Sequence, residues 1–283
     1  MTVSETKRGF SLEIFPPKRT DSIDTIYSAL DELKCLKPDF ISVTYGAGGS
    51  GSNATIEIAS AIKQKYGIES VAHMPCLYLS REDVLQQLET LKANGIKSIL
   101  ALRGDIRSDI QPVGDFGHAS DLISFIKENG DFNIIGACYP EGHSESASAI
   151  DDIRFLKRKV DAGTDSLITQ LFFDNGYFYS FREKAAIAGI SVPIEAGIMP
   201  VINKRQIERM ASLGGVKLPK KFVAMMERYE NNPIAMRDAG IAYAVDQIVD
   251  LISHGVDGIH LYTMNNLYIA KKIYEAVYRL LAA

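Results

Sequence analysis

Short β-branched or aromatic runs alternate with longer amphipathic stretches along the whole chain, which predicts an α/β fold: one (β/α)8 TIM barrel. Three observations carry this. Eight β/α units can be counted in 283 residues, the number that closes a barrel. The length suits a barrel of about 250 residues. No Pro-, Gly- or Ser-rich linker divides the chain, so residues 1–283 read as one domain. An open doubly wound sheet has the same alternation and is the competing reading.

The elements follow in order. Phe10 to Phe15 reads as the first strand, and Ile23, Ile26, Tyr27, Leu30 and Leu33 then recur at helical spacing. Asp39 to Tyr45 is a strand, Asn53 to Tyr66 a helix, and Glu69 to Cys76 the third strand. Ser80 followed by Asp83 is a capping-box start, and Gly95 is a helix stop. The fourth strand, Ser98 to Arg103, leads through a polar loop to a helix near His118. Asn133 to Tyr139 precedes a helix over Ser144 to Ala162, and Ser166 to Phe173 precedes one ending near Ala188. Pro193 to Met199 is the seventh strand, with a helix from Lys204. An extra helix, Pro219 to Tyr229, and a long one, Ile234 to His254, come before the eighth strand, Gly258 to Thr263. Leu267 to Leu281 closes the pattern.

Composition removes several classes. Apolar residues make up 46% and charged residues 23%, which excludes disorder and collagen-like chains. The net charge is −4, and the densest basic run, Lys157-Arg158-Lys159, is too short for the stripe of a nucleic-acid binder. Three cysteines without a CxxC pair predict reduced thiols in the cytoplasm. Met1 to Phe10 lacks the apolar core of a signal peptide. No run approaches the ~18 apolar residues of a membrane span.

A barrel of this kind keeps its chemistry at the C-terminal ends of the strands. Those ends carry Glu13, Thr44, His73, Asp105, Tyr139, Gln170, Met199 and Tyr262. Glu13 lies within an apolar strand, where a carboxylate is costly unless paired or used, and this suits a proton donor. Asp105 is either a substrate-facing carboxylate or a loop residue. Gly46-Ala47-Gly48-Gly49-Ser50-Gly51 satisfies G-x-G-x-x-G, but Glu69 sits at the wrong end of the next strand for a dinucleotide fingerprint. It reads instead as a loop at the barrel mouth. His73 and His143 lack a second ligand at zinc spacing and read as hydrogen-bond donors. Arg158 and Lys159 are either solvated helix charges or partners of a pyrophosphate.

Together these segments resemble the methylenetetrahydrofolate reductase family. The matching stretches are Ser11-Leu12-Glu13-Ile14-Phe15-Pro16-Pro17, Val43-Thr44-Tyr45-Gly46, Ala72-His73, Ala101-Leu102-Arg103-Gly104-Asp105 and Tyr139-Pro140-Glu141-Gly142-His143. They continue with Leu156 to Gly163, Ile168-Thr169-Gln170 with Phe172-Phe173-Asp174, Gly197 to Val201, and Leu261-Tyr262-Thr263.

The resemblance implies an FAD-dependent reduction of 5,10-methylenetetrahydrofolate to 5-methyltetrahydrofolate. NADH or NADPH would act first and leave, in a ping-pong scheme on one flavin face. Glu13 would be the general acid at the folate N10, and Asp105 would stabilise positive charge on the folate. The flavin-site positions would be Thr44, His73, Leu102, Arg103, Gly104, Asp105, His118, Ala119, Tyr139, His143, Asp152, Arg158 and Lys159. Gln170, Gln206, Met210 and Tyr262 would line the folate site with Glu13 and Asp105. A homo-oligomer is implied, and a C-terminal S-adenosylmethionine-sensing domain is not expected. The sequence departs from the family pattern at Pro75, at His118 and Met210, where other apolar or aromatic residues are common, and at Asn266, where arginine is frequent. A flavin barrel of the proline dehydrogenase type and a non-catalytic flavin- or folate-binding subunit are the competing functional readings.

Overall fold

The computed structural model describes residues 8–17, 22–45 and 51–282. Eight parallel strands close into a barrel in chain order, β1 (Gly9–Ile14), β2 (Phe40–Val43), β3 (Glu69–Pro75), β4 (Ser98–Leu102), β5 (Asn133–Cys138), β6 (Ser166–Thr169), β7 (Ile194–Ile198) and β8 (Gly258–Tyr262). The helices are α1 (Asp24–Leu33), α2 (Gly51–Tyr66), α3 (Arg81–Ala93), α4 (Ala119–Asn129), α5 (Ala149–Asp161), α6 (Asn175–Ile187) and α7 (Lys204–Gly214). The extra α8 (Lys220–Tyr229) and the long α9 (Pro233–Ser253) lie between β7 and β8, and α10 (Leu267–Leu281) follows β8. Residues 46–50 of the glycine-rich stretch lie outside the described residues.

Strand alternation places two different sets of side chains on the two faces. Outward residues such as Leu12, Ile41, Ala72, Ile99, Ile134, Leu167, Ala196 and Ile259 are buried under the helices in one large core. Inward residues form a separate, smaller cluster of Val71, Leu100, Ile135 and Ile168. That cluster fills only one side of the barrel.

Local chemistry fixes the helix ends. Ser80 and Asp83 form the capping box of α3, and Gly95, at φ 73°, takes the left-handed turn after it. Helix α5 begins at Ala149 rather than Ser144. Asp152 reaches back to accept from the His143 backbone N–H (3.1 Å) and the Ser146 hydroxyl (2.8 Å), which holds 143–148 as a loop until Ser148 caps the helix. Strand β6 ends at Thr169, short of Phe173. Its pairing with β7 covers only Leu167↔Ile194 and Ile168↔Glu195, and the Thr169 carbonyl instead accepts from the Tyr262 hydroxyl at 2.7 Å. Leu171 and Phe173 are thereby freed to join Met199, Val201, Ile207, Phe222, Met226 and Tyr262 in an apolar wall.

Candidate active site

Glu13 is the inward residue nearest the C-terminal end of β1. Its partners in register are Ser42 on β2 and Tyr262 on β8. The residue is 7% exposed. Glu13 Oε2 lies 3.4 Å from His73 Nε2 and 3.6 Å from His260 Nε2. Neither histidine nitrogen has a hydrogen-bond partner, so two buried polar atoms converge on one carboxylate oxygen. Burial holds the His73 imidazole below its ordinary value and favours its neutral form, while the Glu13 charge opposes this. Burial also raises the Tyr262 phenol well above its ordinary value, so it remains a proton-bearing donor.

Other sequence-predicted residues gather around the same mouth. Leu102 ends β4, half-buried and packed against the inward apolar cluster. Arg103 follows it, and its guanidinium is held by both oxygens of Glu145 at 2.6 and 2.8 Å. Gly104 has φ +90°, and a Cβ there would sit 3.1 Å from the Pro75 ring, so glycine turns the chain and leaves Asp105 exposed. Thr44 follows β2, and its carbonyl accepts from the Thr55 hydroxyl at 3.0 Å. Tyr139 and His143 meet edge to face at 4.7 Å, and burial pushes the Tyr139 phenol up to about 12.

Helix starts supply further groups. His118 precedes α4, with its ring stacked on Phe155 at 6.4 Å, and Ala119 is buried at the first helical position. The Asp121 carboxylate accepts from the backbone N–H groups of Gly117 and His118. Arg158 and Lys159 part company. Arg158 is exposed and lies 5.6 Å over the Phe155 ring. The Lys159 stem packs on Gly136, and its ammonium donates to the Ala137 carbonyl at 2.6 Å. Burial pulls the Lys159 ammonium below its ordinary value.

Gln170 follows β6, and its side-chain carbonyl accepts from the Leu171 backbone at 2.9 Å, which leaves its amide N–H2 as a donor. Gln206 and Met210 lie four residues apart on α7, one above the other, and Met210 packs against the apolar wall that includes Tyr262. Tyr262 reaches across β7 because position 197 is glycine: a Cβ there would lie 2.8 Å from its ring. Asn266 caps α10 through its side-chain oxygen, which accepts from the Ile269 N–H at 3.3 Å. An arginine could not make that cap. Asn265 bridges the Phe15 backbone N–H and carbonyl, both at 2.9 Å, tying the end of β8 to the end of β1.

Sequence reading passed over Ser11, Glu195 and His260. All three are inward residues on β1, β7 and β8. The available signal was a polar residue two positions from another candidate in an otherwise apolar strand: Ser11 beside Glu13, and His260 beside Tyr262.

A closed parallel barrel that holds a buried acid against two histidines at its C-terminal mouth defines a (β/α)8-barrel enzyme. The family model described as methylenetetrahydrofolate reductase matches residues 1–278. The chain belongs to this family, a family of oxidoreductases. It is 38% identical over 255 residues to the 5,10-methylenetetrahydrofolate reductase of Pectobacterium carotovorum subsp. carotovorum, with 90% of this chain and 85% of that one covered. The 5,10-methylenetetrahydrofolate reductase of Escherichia coli (strain K12) is 37% identical over 258 residues, covering 90% and 86%. Methylenetetrahydrofolate reductase (NADH) 1 of Arabidopsis thaliana is 37% identical over 280 residues; 93% of this chain matches 47% of that protein's length. Among solved structures, an uncharacterised Clostridium thermocellum protein that binds two copies of 5-methyl-5,6,7,8-tetrahydrofolic acid shares the fold. Its TM-score is 0.66 at 12% identity, covering 99% of this chain and 97% of that one. Among the described residues no helix is long and apolar enough to cross a membrane.

Proposed function

We propose that the chain reduces 5,10-methylenetetrahydrofolate to 5-methyltetrahydrofolate, with electrons from NADH or NADPH passed through FAD held in one catalytic barrel domain. The observation that carries this reading is the buried Glu13 carboxyl at the mouth, faced by two unpartnered histidine nitrogens. A carboxyl in that setting can hold a proton and release it to a substrate nitrogen.

The residues at the β4 and β5 ends fit a flavin dinucleotide. A pyrophosphate needs cations, and the Lys159 ammonium has three N–H donors, of which Ala137 takes one. Arg103 adds a planar fork, exchanging Glu145 for the anion. Asp152, Thr44 and His143 offer groups for hydroxyls, and Leu102 offers an apolar contact for a ring. FAD held there would supply the two-electron hydride chemistry that links the nicotinamide to the folate.

The chain's own residues supply the remaining steps. Glu13 gives its proton to N10 of the folate, and the five-membered ring opens to a cation at the methylene carbon. Asp105 places a carboxylate near that cation. The Gln170 amide N–H2 donates to the pterin, and Gln206, Met210 and Tyr262 form the wall against which the folate lies.

Purified protein should be yellow and release FAD on denaturation. Glu13→Gln should leave flavin reduction by NAD(P)H intact and slow folate-dependent reoxidation by about 10²–10⁴-fold. Equal loss in both half-reactions, or a colourless protein that cannot be reconstituted, overturns the reading.

A further inference from the structure

Four side chains connect the two ends of the barrel interior along one wall. Glu195 is the second residue of β7, near the N-terminal end of the barrel, and is half-buried. The Ser11 hydroxyl on β1 donates to Glu195 Oε2. Ser11 Oγ also lies 2.7 Å from His260 Nδ1, in fully buried surroundings. The other ring nitrogen, His260 Nε2, points at Glu13 Oε2 from 3.6 Å and has no other partner. Every neighbour in this chain can both give and take a proton, and the reaction described above uses only its last member.

We infer that Glu195, Ser11 and His260 form a proton relay that recharges Glu13 after each turnover from the N-terminal end of the barrel. The inference rests on the reading of Glu13 as the proton donor to the folate. The donors and acceptors of these groups allow two complete hydrogen-bond patterns. Serine has one proton, and a neutral imidazole has one N–H. When Glu195 holds the proton, it donates to Ser11, Ser11 donates to His260 Nδ1, and His260 Nε2–H faces an ionised Glu13. When each proton moves one place along, Glu195 is ionised, Ser11 donates to it, and His260 Nδ1–H donates to Ser11. Nε2 then carries the lone pair that accepts from a protonated Glu13. One proton leaves Glu195, one arrives at Glu13, and His260 changes tautomer without ever becoming a cation.

The position of the relay gives it a purpose. A substrate stacked at the mouth separates Glu13 from solvent on that side. Glu195, at the other end, retains partial exposure and stands near Asp39 and Asp257. The groups facing Glu13 itself are His73, His260 and Tyr262. The Glu13–His260 distance is long for a hydrogen bond, and catalytic contacts of this kind tighten once ligand is bound.

The test uses the whole protein with its flavin. Ser11→Ala and Glu195→Gln should lower steady-state folate turnover at least about tenfold. Flavin reduction by NAD(P)H and the first folate turnover after mixing should keep wild-type rates, because the relay acts only after Glu13 has given up its proton. Ser11→Thr, which keeps the hydroxyl, should restore turnover. Full steady-state turnover in Ser11→Ala or Glu195→Gln overturns the relay. So does a first turnover slowed as much as the later ones, which would mean that the three residues only hold Glu13 in place. A second readout covers poor folding of the serine variant: nitrogen NMR of labelled histidine. The His260 ring-nitrogen shifts should change in Glu195→Gln and in Glu13→Gln, and constancy in both overturns the relay. Retained folate reduction in Glu13→Gln would instead sink the reading of the proton donor itself.

Discussion

From β3 to β6 the barrel interior is filled by Val71, Leu100, Ile135 and Ile168, whereas from β7 through β8 and β1 to β2 it is filled by Glu195, Gly197, His260, Tyr262, Ser11, Glu13 and Ser42. His73 sits on the seam between them. Apart from His73 on that seam, the first half buries no titratable group among the described residues and behaves as ordinary core. The second half buries carboxyls, a histidine, hydroxyls and a phenol, and leaves the Ser42 hydroxyl and His260 Nε2 without partners. An unsatisfied buried polar group costs about 1–3 kcal/mol. The contrast teaches that the two halves answer to different demands: one holds the barrel together, and the other gives up some of that stability to bury polar and titratable groups beside the mouth.

The division breaks most visibly if the apolar half is hollowed out. Leu100→Ala should cost about 2–5 kcal/mol in denaturant unfolding, while the surviving folded protein keeps its folate turnover. A cost below about 1 kcal/mol would mean that the apolar half is not the stabilising one. Gly197→Ala probes the polar half sterically. Its Cβ would fall 2.3 Å from the Thr169 carbonyl and 2.8 Å from the Tyr262 ring. It should cost about 1–3 kcal/mol by overpacking and raise KM for the folate while leaving flavin reduction unchanged. An unaltered KM would separate Tyr262 from the substrate wall.

The barrel itself was legible because each strand is a short apolar run and each helix carries its own start and stop, such as Ser80 with Asp83 and Gly95. Glu13 was legible because a lone carboxylate in such a run stands out. Its buried polar neighbours were not. Ser11 is 184 residues from Glu195 and 249 from His260, and only closure of β1 onto β8 brings them together. The start of α5 was hidden because Asp152, itself inside the helix, folds back to pin the loop before it. Arg158 and Lys159 read as a pair, yet adjacent residues on a helix point in different directions, and one ends exposed over Phe155 while the other is half-buried along Gly136.

The smallest effect expected is the most specific to the polar wall. Burial raises the Glu195 carboxyl above its ordinary value of 4.5, with His260 and Ser11 opposing. The folded protein therefore keeps that proton at a pH where the unfolded chain has released it. Stability from this group is complete below about 4.5 and is lost as pH rises through the raised folded value. Glu195→Gln does not titrate, so its thermal midpoint should match the wild type in acid and exceed it increasingly as pH rises through that window. The gain should be smaller than either loss above. A variant less stable than the wild type at neutral pH would make Glu195 a structural anchor and erase the contrast between the two halves. A variant that is more stable yet slow to turn over would show that the polar wall is kept against the interest of stability, for the sake of the proton it delivers.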